Sequence, residues 1–279
     1  MRTAVPPDIA ARVAAALDAV ERGADGPPRV ILAVESGSRA WGFPSPDSDR
    51  DLRFVYAMPT AWHLRLSPGR DVVEAGPEGD PPLDLAGWEA RKAVDLLLSG
   101  NATLREWLAS PITYREHATP RAAFVALADA VPARAQARFH HASLAKKQFG
   151  RQIGGRDPVA LKKYLYAVRP ALALRWMREN PGEAAPPMDM AAPRAGTSLP
   201  PGAVAALDDL LARKAVASEL GAGPPLPDLD ALIAEEVAAA EVAAREEGPV
   251  PRVSPAAREA AQALFLRCVA HADEGRAAA

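Results

Sequence analysis

The chain has 279 residues, a formal net charge of −2, one cysteine, and 49% hydrophobic residues, many of them alanine. This length suits one large or two modest globular domains with a proper core, and the near-neutral charge gives no global sign of a nucleic-acid or membrane surface. A single cysteine excludes an internal disulfide and a cysteine-based zinc site, and no apolar run reaches the roughly 18 residues of a membrane span, so we predict a cytoplasmic protein.

The N-terminal part of the chain predicts one helix followed by four strands. Asp8 is expected to cap a helix that runs to about Arg22, and the charges within this stretch favour an amphipathic helix over a signal peptide. Strands are expected where apolar and β-branched residues alternate with turn-forming residues. These segments are residues 29–35, 51–58, 70–75 and 83–88.

From Glu89 onward the spacing of apolar residues becomes helical. Two short helices are predicted on either side of Ser99-Gly100-Asn101, and Pro170 is expected to kink a later helix or to start a new one. The longer helices are expected at residues 121–150, 158–179, 203–220, 228–246 and 255–272, with a proline-rich linker over 180–202. We therefore predict an α+β protein, with a small mixed β-sheet core and flanking helices in residues 1–115 and an α-helical domain in residues 116–279.

One segment of the helical part is strongly basic. Residues 134–178 contain eleven Lys and Arg but only one acid, Asp157, so this segment carries +10 and the rest of the chain −12. A solvated face is the ordinary explanation of such charge, yet the shortage of acids within the segment leads us to expect few internal salt bridges and an external phosphate partner. The predicted nucleotide contacts are Lys146, Lys162, Tyr166 and Arg169.

Residues 35–58 read ESGSRAWGFPSPDSDRDLRFVYAM and resemble two familiar loops only in part. Gly37 and Gly42 have the spacing of a P-loop, but Phe43 follows where lysine is required. Three alternating aspartates imitate the start of a calcium loop, but Leu52 stands where that loop needs glycine. Both readings therefore fail.

A division of labour within this stretch remains. Gly37 allows the backbone to approach a ligand closely, while Ser38 and neighbouring amides can donate hydrogen bonds to phosphate, with Arg39 nearby for charge. Asp49 and Asp51 are spaced i, i+2, which places both carboxylates on one face of a strand. Such hard oxygen ligands suit Mg²⁺, and the pattern predicts a triphosphate site beside a magnesium site.

Two Mg²⁺ ions about 3.5–4 Å apart usually require a third carboxylate from another strand. Asp84, a charged residue between Leu83 and Leu85, fits this position best, and Glu74 is the alternative. A lone charged residue in a strand can also simply face solvent.

Three segments of the chain are similar to a known family. They are ESGSRAWGFPSPDSDRDLRFVY, GWEARKAVDLLLSGNATLREWLASPITY and KKYLYAVRPALALRW, between about residues 34 and 178. They resemble the bacterial RNA-repair-pathway nucleotidyltransferases of the DNA polymerase β superfamily. The resemblance implies that Gly37 and Ser38 contact the triphosphate, that Asp49 and Asp51 bind metal, and that Asp84 is the third carboxylate. Ser99 and Glu89 stand where the family leads us to expect Lys and Asp.

The resemblance also implies a reaction. The expected activity is transfer of NMP from an NTP, with ATP as the expected donor, to a hydroxyl group, with two Mg²⁺ ions and release of pyrophosphate. The family indicates an RNA end as the acceptor, but aromatic residues make up only 5% of the chain and no RNA-binding module is visible, so a small-molecule or protein acceptor stays open. The rival hypothesis is a non-catalytic, NTP-binding regulatory protein.

Overall fold

The computed structural model describes residues 5–23, 27–67, 69–80, 82–217, 219–248 and 251–277. The chain forms two compact units, each assembled from separate stretches. A sheet unit contains residues 1–40, 49–131 and 252–279, and a helical unit contains residues 41–48 and 132–251. The sequence predicts two contiguous domains instead, because patterns of local periodicity do not reveal that the last helix returns to the sheet.

The sheet unit is built on a mixed sheet with five strands in the described residues, in the order β3-β4-β2-β1-β5. The strands are β1 (Arg29–Glu35), β2 (Arg50–Ala57), β3 (Val72–Glu78), β4 (Leu83–Glu89) and β5 (Thr113–Glu116). Strands β2 and β4 run parallel, and the other neighbours are antiparallel. The four predicted strands are confirmed, whereas β5 was not predicted because its sequence, TYRE, lacks an apolar alternation.

Twelve helices occur in the described ranges. They are α1 (Pro7–Glu21), α2 (Gly37–Ala40), α3 (Thr60–His63), α4 (Ala90–Leu98), α5 (Ala102–Ala109), α6 (Ala118–Ala130), α7 (Arg134–Gln152), α8 (Lys162–Glu179), α9 (Ala191–Ala195), α10 (Pro201–Val216), α11 (Pro227–Glu246) and α12 (Pro255–Ala277). The predicted α+β class is confirmed. Asp8 does not cap α1, however: Pro6 is the N-cap residue, and Asp8 lies in the first turn, where a negative charge still complements the helix dipole.

Both faces of the sheet are covered by helices. Ile9, Val13 and Leu17 of α1 are buried against one face in a cluster with Phe54 and Tyr56 of β2. Helices α4, α5, α6 and α12 supply a second cluster with the alternate residues of β1 and β2. Because side chains alternate between the two faces of a strand, both faces of β1 and of the second half of β2 need apolar residues. This accounts for the continuous apolar runs VILAV in β1 and FVYA in β2.

The helical unit packs around α8. Leu165, Val168 and Leu172 of this helix are fully buried in the core of the unit. Helix α8 continues past Pro170, so of the two alternatives expected for this proline, a kink or the start of a new helix, the second is wrong. The single helix predicted over 121–150 is also wrong: α6 and α7 are separate, because Pro132 disfavours helical geometry at Val131 before it.

The remaining differences in this unit are small. The predicted linker over 180–202 contains the short helix α9, and the helix predicted over 203–220 ends at Val216, with Ser218 outside the described residues. Two short strands, β6 (Val159–Ala160) and β7 (Ala222–Gly223), form an antiparallel pair. No helix in the described ranges is both long enough and apolar enough to cross a membrane.

Candidate active site

The turn after β1 depends on glycine. Gly37 has φ of +59°, and a Cβ at this position would lie only 1.8 Å from Oδ2 of Asp51. Any side chain would therefore be strained and would also displace the carboxylate. The amide of Ser36 donates to the carbonyl of Asp51 at 2.8 Å, which ties this turn to β2. The predicted phosphate turn and one predicted metal ligand are thus in direct contact.

A buried carboxylate, Glu35, supports the turn from behind. It accepts hydrogen bonds from the amide of Asp51 at 2.7 Å and from the hydroxyl of Tyr114, and Nη1 of Arg50 lies 3.6 Å from it. The hydroxyl of Ser110 donates to the carbonyl of Glu35 at 2.6 Å. Burial raises the pKa of the Glu35 carboxyl, although Tyr114 and the Asp51 amide oppose the shift. Glu35 therefore fixes the backbone on both sides of the turn.

Asp51 and Asp84 are direct neighbours across parallel strands, because Asp51 of β2 is in register with Asp84 of β4. One guanidinium nitrogen, Nη2 of Arg53, donates to Oδ1 of Asp51 at 3.0 Å and to Oδ2 of Asp84 at 2.7 Å. Burial raises the pKa of the Asp51 carboxyl, Arg53 opposes this, and the charges of Asp84 and Asp49 add to it. Two carboxylates and one cation thus form a compact charged cluster.

Asp49 and Glu74 lie differently. Asp49 immediately precedes β2, and its carbonyl accepts a hydrogen bond from Nε of Arg39 at 3.2 Å. Glu74 lies on β3 in register with Ala86 and pairs at 3.4 Å with Arg70, both side chains being mostly exposed. Asp84, not Glu74, therefore shares a register position with Asp51.

The donor chemistry of this cluster fits a divalent cation. Asp51 and Asp84 offer hard carboxylate oxygens, and they already share one positive group, Arg53. Within the described ranges, no three His, Cys, Asp or Glu side chains come together as a ready metal-binding group. Two of the three predicted carboxylates, Asp51 and Asp84, therefore share the guanidinium of Arg53. The side chain of Asp49 does not join them in a group of three.

The segment between the phosphate turn and Asp49 belongs to the helical unit. Trp41 and Phe43 pack edge-on against the ring of Tyr166, with centroids 6.2 and 6.4 Å away. The guanidinium of Arg169 lies 4.3 Å above the ring of Trp41, and Nζ of the buried Lys214 is 3.3 Å from Oγ of Ser45. Two of the predicted nucleotide contacts, Tyr166 and Arg169, thus pack against this segment.

The basic segment is not short of internal partners, and this premise of the sequence analysis is wrong. Lys146 pairs with Glu241 at 2.9 Å, and Lys162 pairs with Glu219 at 3.1 Å. Other partners of the segment also come from later in the chain. They are Glu247 for Arg138, Glu235 and Glu236 for Arg175, and the same two residues for Arg178.

A cavity of about 600 Å³ lies at the other end of β4 from Asp84. Glu89, the last residue of β4, lines it and is almost completely buried; its side chain accepts the amide of Arg91 at 2.7 Å and so caps α4. Glu89 stands where the resemblance leads us to expect Asp, a shorter residue that can also cap a helix. Its hydrogen bond gives it a structural role that is separate from the carboxylate cluster.

Two residues of the site were missed from the sequence. Glu35 ends an apolar strand with a charge, and Arg53 follows Asp51 at the same i, i+2 spacing that links Asp49 to Asp51. Both residues could have been found from the sequence. A carboxylate in a buried strand, such as Glu35, needs a hydrogen-bond or ionic partner. Arg53 shares a strand face with Asp51 because residues i and i+2 project on the same side.

The mixed sheet, with a glycine turn beside paired carboxylates, is consistent with a nucleotidyltransferase core, and the family comparison supports a function of this type. Residues 9–267 match the family described as the RNA repair pathway DNA polymerase beta family, and the chain belongs to this family. A relative from Bacillus subtilis (strain 168), described as "Uncharacterized protein YcgL", is 35% identical over 218 residues, which cover 78% of this chain and 82% of the relative.

Proposed function

We propose that the protein is a Mg²⁺-dependent nucleotidyltransferase that transfers NMP from an NTP, ATP being the donor we favour, to a hydroxyl group. The proposal is supported above all by the register of Asp51 and Asp84 on adjacent parallel strands, with Asp51 lying against Gly37. The family's description favours an RNA end as the acceptor. The single cysteine supports the cytoplasm as the proposed place of action.

The turn after β1 is assigned to the triphosphate. Gly37 leaves its backbone open to close approach, and Ser38 and the adjacent amides donate to phosphate oxygens. Glu35 holds the turn and the start of β2 through hydrogen bonds on both sides, which keeps the phosphates and carboxylates at a fixed spacing. Arg39 adds positive charge next to the turn.

The carboxylates are assigned to the cation and to the proton. Asp51 and Asp84, with Asp49, would hold Mg²⁺, which when bound neutralises phosphate charge and lowers the pKa of a hydroxyl group. In the proposed step, the acceptor oxygen forms a bond to the α-phosphorus, the bond to the bridging oxygen breaks, and pyrophosphate leaves. Asp84, the more exposed of the two paired carboxylates, accepts the proton of the hydroxyl.

The basic helices receive a more limited part in the proposal. Lys146, Lys162 and Arg169 have internal partners or stack on an aromatic ring, and Tyr166 packs against two rings. These contacts support roles in building the helical unit, so nucleotide binding by these four residues remains a prediction separate from the assignments in the sheet unit.

The proposal is tested by incubating the full chain with each α-labelled NTP, Mg²⁺ and a pool of RNA with free hydroxyl ends. Labelled RNA that forms with the wild-type chain and not with Asp51→Asn is the expected result. Label on the protein or on a small molecule would identify a different acceptor for the same class of reaction. NTP binding without any transfer would favour the regulatory hypothesis instead.

A further inference from the structure

Arg53 is extensively hydrogen-bonded at the carboxylate cluster. Its Nη1 donates to the carbonyls of Leu52 at 3.1 Å and Asp84 at 3.0 Å. Its Nη2 donates to the carboxylates of Asp51 at 3.0 Å and Asp84 at 2.7 Å. The side chain is only 19% exposed. These bonds hold the guanidinium across the two strands that carry the proposed catalytic carboxylates.

The sheet itself puts Arg53 in this position. Arg53 follows Asp51 by two residues on β2, so both side chains project from the same face, and Asp84 lies opposite Asp51 on β4. Two carboxylates on adjacent strands repel each other unless a positive group lies between them. The planar fork of an arginine can bridge two acceptors, as this one does.

We propose that Arg53 is an internal counter-ion that competes with the divalent cation for Asp51 and Asp84, so that cation binding requires the guanidinium to release these carboxylates. The inference rests on the proposed function, which assigns these carboxylates to the cation. Arg53 is a positioning residue in this scheme, since it acts on the ligands and not on the substrate.

Two consequences follow from this arrangement. In the absence of a divalent cation, Arg53 offsets one of the two negative charges and keeps both carboxylates ordered on their strands. A cation must displace a preformed ion pair, which lowers its affinity for the free protein. A cation that arrives with the phosphates of an NTP brings additional ligands to the same place, so the competition favours binding of cation and nucleotide together.

The test measures cation affinity and not activity. The full chain is titrated with Mn²⁺, followed by electron paramagnetic resonance, in the wild type and in Arg53→Gln. We expect Arg53→Gln to bind Mn²⁺ at least about tenfold more tightly, because the carboxylates lose their competing cation while Gln retains a hydrogen-bond donor. Arg70→Gln is the matched control: it removes the same charge from an exposed pair with Glu74 and should leave the affinity within about twofold of the wild type.

Two further variants keep the result interpretable. Arg53→Lys retains the charge but loses the planar fork, so we expect an affinity between those of the wild type and Arg53→Gln. If Arg53→Gln does not fold, as judged from thermal unfolding in the presence of a chelator, Arg53→Lys carries the test. The double change Arg53→Gln with Asp51→Asn should lose the gain in affinity, which locates it at the cluster.

The possible failures are distinguishable. If the wild type binds Mn²⁺ and the Arg53 variants bind it no more tightly, the counter-ion role is overturned while the proposed function stands. A gain that persists in the double variant also overturns the role, because the tighter site then lies elsewhere. If neither the wild type nor any Arg53 variant binds Mn²⁺ with or without ATP, both the counter-ion role and the cation site of the proposed function fall.

Discussion

The sheet unit and the helical unit each contain a cluster of charged side chains, but the two clusters differ in burial and in partners. In the sheet unit, the charges Glu35, Asp51, Arg53 and Asp84 converge on the turn after β1 and on the strand that follows it. In the helical unit, buried charges instead join helices: Arg175 of α8 is 6% exposed and donates to Glu236 of α11, which is 1% exposed, at 2.6 Å.

The difference shows in what surrounds each cluster. The Asp51 carboxylate lies against Gly37, which leaves no room for a side chain at that position. The Glu236 carboxylate is bonded by Arg175 and Arg178, both on the neighbouring helix, so its oxygens are already used. Burial alone therefore does not mark a carboxylate as a candidate site residue. An excess of negative charge beside a glycine turn is the better indication of a candidate site.

The largest expected effect tests the structural half of this comparison. Glu236→Gln removes the buried carboxylate and leaves the guanidinium of Arg175 with only the half-exposed Glu235 as its ionic partner. Breaking a buried pair from one side costs about 3–5 kcal/mol. We expect a loss of this size in the free energy of unfolding, measured by denaturant titration. Glu235→Gln removes the same charge from the adjacent, half-exposed residue and should cost far less. Equal losses for the two variants would show that the buried carboxylate contributes no more to stability than the half-exposed one.

The next effect tests the functional half. Asp84→Asn preserves the shape of the side chain and can still accept from Arg53, so we expect little change in unfolding and largely unchanged NTP binding. Transfer should fall by at least about a hundredfold, the scale lost when a positioned acid-base or metal-binding group is removed. Glu74→Gln is the control on β3. If Glu74→Gln abolished transfer and Asp84→Asn did not, the third carboxylate would be Glu74 on β3 and not Asp84 on β4.

Much of the candidate site could be predicted because it is local in sequence. Gly37, Ser38, Asp49 and Asp51 fall within one short stretch, where turn chemistry and the period of a strand carry the information. Asp84 was favoured over Glu74 by its place between two apolar residues of a strand, and the family resemblance strengthened this choice. The register between two strands joined through a third cannot be derived from either strand alone.

The residues that were missed have distant partners. Glu35 is bonded to Tyr114, 79 residues away, and Arg53 to Asp84, 31 residues away. The same reason explains the wrong expectation for the basic segment, because Arg138 finds its carboxylate at Glu247, 109 residues along the chain. A count of charges within one segment does not predict its salt bridges, because the partners can come from distant parts of the chain.

A smaller effect comes from a buried titratable group in the helical unit. His141 is completely buried, and burial, with the nearby charges of Arg169 and His140, lowers its pKa well below the usual value of 6.5. Below about pH 6.5 the unfolded chain takes up a proton that the folded chain does not, so this contribution to stability is present above pH 6.5 and decreases as the pH falls. The slope is at most about 1.4 kcal/mol per pH unit.

We expect the wild type to lose about 1 kcal/mol of unfolding free energy from this source between pH 6.5 and 5.5, as measured by denaturant titration at each pH. His141→Gln should show a shallower dependence on pH, because the titrating group is gone, whereas His140→Gln should keep the slope of the wild type. A slope in His141→Gln equal to that of the wild type would mean that other groups cause the acid sensitivity.

The smallest effect separates the two roles that remain for Lys162. Its pair with Glu219 involves a carboxylate that is 76% exposed, and such pairs contribute about 0.2–1 kcal/mol. If Lys162 has only a structural role, Lys162→Ala should lower the free energy of unfolding by no more than this. As a contact to single-stranded RNA, it should instead reduce the dependence of log affinity on log salt concentration by about 0.7, because one phosphate is no longer neutralised by the protein. RNA binding measured across a series of salt concentrations decides between them: an unchanged slope assigns Lys162 to the architecture of the helical unit, and a reduced slope brings the basic segment back to the acceptor.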